Sequence, residues 1–451
     1  MQEKNPNKML VDSIKRLLRR NAVPNLSKIV NKTHAADLAV VFRSISTENQ
    51  SMLFDLIKDI EQKGTLFSEL DEDTFLTFIE GMDLDELTEI FACMPTDDVV
   101  DIVGRLPDDK SSAILEGMGK KDSEEVEDLL SYDDDTAGGI MVPDFIALGM
   151  NVTAKEAIES LQTEHMDVEM PFYLYVVDDY EKLTGVISLR QLVVVPHETP
   201  LKKFMTTDVI SVTTGMDQEE VAKIVAKYNI LAVPVVDDNN RLAGIVTVDD
   251  VIDIFRLEAT EDILRMAGAG EEFIETKSII KSTRIRFPWL FASCIGGIAA
   301  FYIIGHFSET LNSFVYLAAF IPVIMGMGGN IGTQSSTIVV RGLATGRLDV
   351  RDIWKVVSKE LVVGCILGVI YGTMIGMVAQ FRFNAMPVAI SVGAAVISSM
   401  SVAALVGSFV PMGFAKINID PAVATGPFVT TTVDIISVFI YFKIATFLIG
   451  I

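Results

Sequence analysis

The sequence predicts a multidomain membrane protein: an all-α helical N-domain, an α/β tandem repeat, a connecting helix and a five-helix α transmembrane domain. Three observations carry this reading. Charge is partitioned, because from Phe287 onward there are six acids and eight bases, leaving 55 of the 61 acids and 29 of the 37 bases in residues 1–286. Five long apolar segments follow that boundary, at about Phe287–His306, Phe314–Val340, Val356–Gln380, Pro387–Phe414 and Pro421–Ile451, each long enough to cross a bilayer. A strand–turn–strand–helix pattern occurs twice between residues 141 and 255. The boundaries are 1–132 for the helical part, 133–252 for the repeat pair (about 141–204 and 205–252), 253–286 for the connecting helix and 287–451 for the membrane part.

In residues 1–132 apolar positions recur at spacings of three and four, as in Asp37–Phe42, Leu84–Ile90 and Val99–Leu106. Proline followed by acids, at Pro95-Thr96-Asp97-Asp98 and Pro107-Asp108-Asp109, marks helix starts. Short helices at this spacing suit a small solenoid of stacked pairs, although a plain helical bundle satisfies the same periodicity. The net charge of −24 lies wholly in residues 1–286; it argues against nucleic acid as a partner and suits cations, or solubility alone. Cys93, Cys294 and Cys365 are far apart, which excludes a disulfide framework or zinc site. His34, His165, His197 and His306 are scattered without a nucleophile–base pairing, so no enzymatic site is expected. The N-terminus, Met-Gln-Glu-Lys-Asn-Pro, has no apolar run behind it, and the acidic part is expected to stay in the cytoplasm.

The repeat is explicit: Val176-Val177-Asp178-Asp179 through Gly185-Val186-Ile187-Ser188 matches Val235-Val236-Asp237-Asp238 through Gly244-Ile245-Val246-Thr247. Upstream, Met141–Leu148 echoes Met205–Val212. Asp253–Arg286 then reads as a helix joining the repeats to the membrane. Lys277, Lys281, Arg284 and Arg286 precede the first apolar segment, and Arg341, Arg347, Arg351, Lys355 and Lys359 fill the second connection. The positive-inside bias therefore puts the N-terminus in the cytoplasm and, with five crossings, the C-terminus outside.

Asp434 stands inside the fifth apolar segment, about 20 Å along a helix begun at Pro421 and so within a hydrocarbon core about 30 Å thick. A carboxylate at that depth faces water, a cation or a partner, or it is protonated. Lys443, nine residues on, is the segment's only lysine and reaches for the interface rather than for Asp434. The second segment contains Gly326-Met327-Gly328-Gly329-Asn330-Ile331-Gly332-Thr333-Gln334-Ser335. Such a stretch either breaks the helix and turns carbonyls toward an ion, or forms a small-residue packing face. One carboxylate among hydroxyls and carbonyls, with no Cys or His nearby, selects hard cations such as magnesium, with calcium, manganese and sodium also suited to oxygen ligands.

With these residues together, the chain resembles the MgtE magnesium channels, related to the animal solute-carrier family 41, and the repeat pair resembles tandem CBS domains. The specific motifs are Gly328-Gly329-Asn330-Ile331-Gly332-Thr333-Gln334-Ser335, Asp420-Pro421-Ala422, and Gly426-Pro427-Phe428-Val429-Thr430-Thr431 leading to Asp434. The resemblance implies a homodimer in the cell (inner) membrane, with Asp434 binding hydrated Mg2+ in a pore lined by Gly328, Gly329, Asn330, Gly426, Thr430 and Thr431. It implies a cytosolic Mg2+ sensor drawn from Asp97, Asp101, Asp249, Asp250, Asp253, Glu258, Glu261, Asp262 and Asp420. Divalent ions would relieve the mutual repulsion of these acids and favour a closed gate. Taken singly, each could be a solvated surface charge.

CBS pairs also resemble adenine-nucleotide sensors. Thr247 and Asp250 keep the hydroxyl and carboxylate, three apart, that hold a ribose, which would make ATP a ligand of the second copy. In the first copy Gln191 stands where relatives that bind ATP have an acid, and this argues against binding there. Two other classes remain beside a gated magnesium channel: a coupled divalent-cation transporter, and a nucleotide-sensing CBS signalling protein whose spans only anchor it in lipid.

Overall fold

The computed structural model describes residues 6–449 apart from 71, 105, 164–171, 270–278 and 424, so His165, Lys277 and the middle of the expected connecting helix lie outside the described residues. The chain divides into two units, Met1–Glu258 and Ala259–Ile451.

The first unit begins with short helices from Pro6–Arg19 to Lys120–Leu129. The first, third, fifth, seventh and ninth pack on one another in turn, and the second, fourth and sixth do likewise. That alternation is a solenoid, not a bundle. Its shared core is aromatic, with Phe54 stacked on Phe67 at 5.0 Å and Phe78 tilted against Phe54 at 5.1 Å. Pro107 is the N-cap of the helix Asp108–Gly117, as the proline-then-acid theme requires.

Two three-stranded sheets follow. In the first, β1 (Ala147–Gly149) is parallel to β2 (Tyr173–Val177), which is antiparallel to β3 (Leu183–Ser188). In the second, β4 (Val212–Thr213), β5 (Ala232–Val236) and β6 (Leu242–Thr247) repeat that order and sense. The repeat extends to atoms. Asp178 accepts from the backbone N–H of Tyr180 and Lys182 at 2.9 Å, and Asp237 from those of Asn239 and Arg241 at 2.8 Å. These backbone donors, Lys182 and Arg241 foremost, hold both carboxyls below the usual range. Glu181 and Asn240 both take positive φ, 64° and 63°, to close the turn.

The copies also exchange edges. Val142, upstream of the first copy, pairs with Ile245 of β6, while Thr206, upstream of the second, pairs with Val186 of β3. The neighbouring methionines explain two glycines. A Cβ on Gly244 would lie 2.7 Å from Met141 Sδ, and one on Gly185 would lie 2.6 Å from Met205 Sδ. Each sheet thus takes an edge contact from the segment leading into the other copy.

The helix that follows runs from Val248 to Met266, starting inside the second copy and not at Asp253. Residues 279–286 already belong to the first membrane helix, so the connecting helix is not one piece over 253–286.

In the second unit, five helices among the described residues are long and apolar enough to cross a membrane: Ile279–His306, Val315–Ala344, Val350–Phe383, Met386–Lys416 and Thr425–Leu448, here spans one to five. Span four is the central element and packs on spans two, three and five. Span three approaches it along Gly364, Gly368, Gly372 and Gly376, where backbones come close enough that a Cβ on Gly372 would lie 2.6 Å from the Gly393 carbonyl oxygen. Without a hydrophobic difference between helix and lipid, close packing of small residues is what holds such spans together. The other side of span three, Val362, Ile366, Val369 and Ile370, is exposed and apolar, as a lipid-facing surface must be.

Candidate functional site

Span two is one continuous α-helix from Ile321 to Ala344, so the expected break at its glycines is absent. The glycines admit neighbours instead. A Cβ on Gly328 would meet Ser399 Oγ at 2.7 Å and Ser437 Oγ at 2.9 Å, and one on Gly332 would meet Val429 and Val433 at 3.3 Å. The interruption lies in span five. Thr425–Val429 forms a wide turn in which Gly426 leaves helical geometry (φ −62°, ψ −120°), and the α-helix starts at Thr430. Asp434 is therefore not 20 Å into a helix begun at Pro421. It lies about 14 Å along from Thr425, in the second turn past the interruption.

Asp434 is partly buried, and Gly329 of span two lies across from it, its Cβ position 3.9 Å from Asp434 Oδ1. Gly329 and Asp434 are thus brought together, whereas Gly328 faces the protein interior. Asn330, with Gly326, Thr333, Gln334 and Thr337, forms an exposed, mainly polar stripe at helical spacing, with Val323 within it and Ile338 at its edge. A polar stripe on a membrane helix calls for water or another protein surface, not lipid. Thr430 Oγ1 donates to the carbonyls of Gly426 at 3.2 Å and Pro427 at 3.4 Å, tying off the interruption. Thr431 packs on Gly296 of span one, away from that stripe. Lys443 lies over the rings of Phe307 and Phe439, 6.0 and 5.8 Å from their centroids.

The interruption has a neighbour from outside the membrane helices. A Cβ on Gly426 would lie 3.2 Å from the carbonyl oxygen of Met266, the last residue of the helix Val248–Met266. Just before it, Arg265 bonds both Glu261, one turn back, and Asp420, ahead of span five. Sequence reading singled out the two acids and missed the arginine that neutralises them; an arginine four residues after a glutamate was the available signal. It also missed Glu360, a buried acid in span three that accepts from Ser335 Oγ at 2.9 Å. Its place inside an apolar segment was the signal there.

The remaining acids fall into distinct settings. Asp97, on the helix Thr96–Gly104, has a buried Oδ1 without a hydrogen-bond partner among the described residues. Burial, then the charges of Asp98 and Asp250, push its pKa up to about 7. Asp250 is pushed up to about 6, chiefly by burial, although it accepts from Thr247 Oγ1 at 2.5 Å. A carboxylate with one buried, unpartnered oxygen beside two like charges fits a hard cation. Asp101 and Asp249 are exposed, and Asp253 pairs with Arg256 at 3.0 Å. Glu258 accepts from Gln218 at 2.8 Å, and Asp262 is partly buried. Among the described residues no three metal-ligating side chains gather into one group, so the expected sensor acids do not form a ready cage within one chain.

The Thr247–Asp250 pair begins the helix Val248–Met266, with the Thr247 N–H 3.4 Å from Asp250 Oδ2. In the first copy Ser188 and Gln191 form the equivalent capping box. The spacing of three thus has a helix-capping reason in both copies.

Fold and site define a multi-pass membrane protein whose helical and CBS-paired N-terminal part precedes five spans with an intramembrane carboxylate. Family models match three parts of the chain: "MgtE intracellular N domain" at 33–135, "CBS domain" at 137–198 and 201–256, and "Divalent cation transporter" at 321–444. A Magnesium transporter MgtE of Bacillus subtilis (strain 168) is 30% identical over 431 residues, covering 95% of each chain. One from Thermus thermophilus is 36% identical over 332 residues, 72% of each chain. Among solved structures, the cytosolic domain of the Mg2+ channel MgtE in complex with ATP is 31% identical, with a TM-score of 0.52, over 54% of this chain and 99% of that one. The soluble part of a magnesium transporter is 30% identical, with a TM-score of 0.50, over 56% and 99%. The chain belongs to the MgtE family of divalent cation transporters.

Proposed function

We propose that this protein carries Mg2+ across the cell membrane as a homodimeric channel, with Asp434 as the acid of the conduction path. The observation that carries this is the placement of Asp434 beside Gly329, two turns past the interruption at Gly426. A carboxylate there, next to a backbone with no side chain in the way, leaves room for an ion that keeps its hydration shell. The exposed stripe through Asn330 and Thr333 supports pairing with a second copy across a wet surface. The relatives named as magnesium transporters support Mg2+ as the ion.

The acid-rich part acts as the sensor in this reading. Mg2+ at Asp97 and Asp250, with the acids around them, removes repulsion and favours a closed state. The N-terminus is cytoplasmic and the C-terminus outside, following the basic residues of the second connection. Adenine nucleotide, which a related cytosolic domain holds as ATP, is proposed only for the second CBS copy, through Thr247 and Asp250.

Single-divalent patch recording and flux from proteoliposomes test the reading. Asp434→Ala should give a folded protein that passes no Mg2+, and Asp434→Asn should be nearly as severe because it keeps shape and loses charge. Wild-type flux in either variant rejects Asp434 as the pore acid. Flux that requires a proton gradient in the wild type moves the protein to the coupled-transporter class.

A further inference from the structure

Residues 6–32 invert the charge of the unit they belong to. They hold seven basic residues and one acid, Asp12, whereas residues 33–258, the rest of the unit, hold 48 acids and 16 bases. They also precede the part matched by the family's N-domain, which begins at residue 33. Four of the basic residues, Lys8, Lys15, Arg16 and Arg19, are on one helix, Pro6–Arg19, whose other side is apolar: Ile14 is fully buried and Leu10, Val11, Leu17 and Leu18 pack on the solenoid core. The helix is thus held rigidly, and its basic face has a defined position.

That face borders a groove of about 300 Å³. Lys15 and Arg19 line one side, and Ser44, Ser46 and Asn49 the other. No ion pair joins Lys15 or Arg19 to an acid among the described residues, although acids outnumber bases more than two to one in the rest of the unit. On the far wall the Asn49 side-chain amide donates to Ser46 Oγ at 2.8 Å, so that the start of the helix Thr47–Phe54 carries no side-chain cap. Two cations one helical turn apart, the Ser46 hydroxyl and the second amide proton of Asn49 opposite (the Ser44 hydroxyl donates to the Val40 carbonyl at 3.0 Å), and a mouth open to solvent match a tetrahedral oxyanion. Arg19 can bind it with two parallel N–H donors and Lys15 as a point charge.

We infer that the groove between Lys15, Arg19 and Ser44–Asn49 is a binding site for a phosphate group, carried either by a soluble phosphate or by a phospholipid headgroup. This site is separate from the Mg2+ pathway and does not depend on it. Its occupancy neutralises the basic face and joins the first helix to the loop before Thr47.

The test uses the full-length protein in a neutral detergent, at fixed ionic strength set with chloride. It is titrated with inorganic phosphate and, separately, with short-chain phosphatidylglycerol, by calorimetry. Saturable binding of inorganic phosphate, weakened about tenfold in Lys15→Gln/Arg19→Gln and unchanged in Lys28→Gln/Lys32→Gln, is the result expected for a soluble ligand. The same pattern with the lipid alone assigns the headgroup. Ser46→Ala/Asn49→Ala, which leaves every charge in place, should also weaken binding and serves if the first variant is misfolded. Equal loss in both charge variants, or no saturable binding of either ligand, overturns the site and leaves a diffuse basic surface.

Discussion

Arg265 is bonded to Asp420, which ties the last turn of the helix Val248–Met266 to the residues that lead into the interruption of span five. Glu261 shares the same guanidinium, and the Met266 carbonyl lies against Gly426. The helix end therefore sits at the one place in span five where backbone geometry departs from the α-helix. A contact of that kind can couple the helix to the backbone geometry ahead of Asp434.

Arg265→Ala should release this end. The pair is about one-third exposed, so solvent screening limits it to about 1 kcal/mol, or roughly a fivefold shift. In flux assays the variant should need about fivefold more internal Mg2+ to close. Asp420→Asn should add little to Arg265→Ala, because loss of the arginine already breaks their pair. Additive shifts would separate the two residues.

Asp97 sets a pH dependence. Its pKa in the folded chain, about 7, lies above the ordinary 3.8, so the folded state binds the proton more tightly than the unfolded one. The stability this contributes is full below about pH 4 and is lost as pH rises through about 7. Asp250, at about 6, adds in the same direction. Asp97→Asn should flatten that loss and raise the thermal midpoint at pH 8 without divalent ions by about 2–4 °C, the equivalent of about 1 kcal/mol in a unit of this size. Added Mg2+ should raise the wild-type midpoint at pH 8 and leave that of Asp97→Asn nearly unmoved. An equal Mg2+ response in both would reject the proposed sensor role of Asp97.

Glu360 and Ser335 join spans three and two inside the membrane domain. Glu360→Ala should lose about 1–3 kcal/mol in detergent, the cost of leaving a buried partner unsatisfied. Glu360→Gln keeps an acceptor oxygen and should stay close to wild type. Equal losses would assign the effect to the negative charge and not to the hydrogen bond.

Gly372 has backbone of span four against it, whereas Gly297 of span one has nothing within 4 Å of its Cβ position. Gly372→Ala should cost about 1–3 kcal/mol by forcing the two spans apart. Gly297→Ala should be neutral or slightly stabilising in a helix. Thermal midpoints of the two variants in one detergent check both, and similar values would deny the close packing of spans three and four.

The five spans, the helical N-terminal part and the duplicated α/β unit are legible in the residues alone, because each rests on a local signal: apolar run length, a spacing of three and four, or two matching Asp-rich turns. The sequence also isolated Asp434, since one charge in an apolar run needs no tertiary knowledge to stand out. Whether Gly328 and Gly332 break a helix or admit a neighbour was not legible, because glycine permits both and the choice depends on Ser399, Ser437 and Val433 from other spans. The interruption at Gly426 likewise meets a residue far off in the chain, Met266, beside the local bond from Thr430. The exchange of Val142 and Thr206 between the two sheets, and the capture of Glu261 and Asp420 by Arg265, also join residues far apart in the chain. Local pattern reports which residues seek burial or charge compensation; only the folded backbone decides which partner meets that demand.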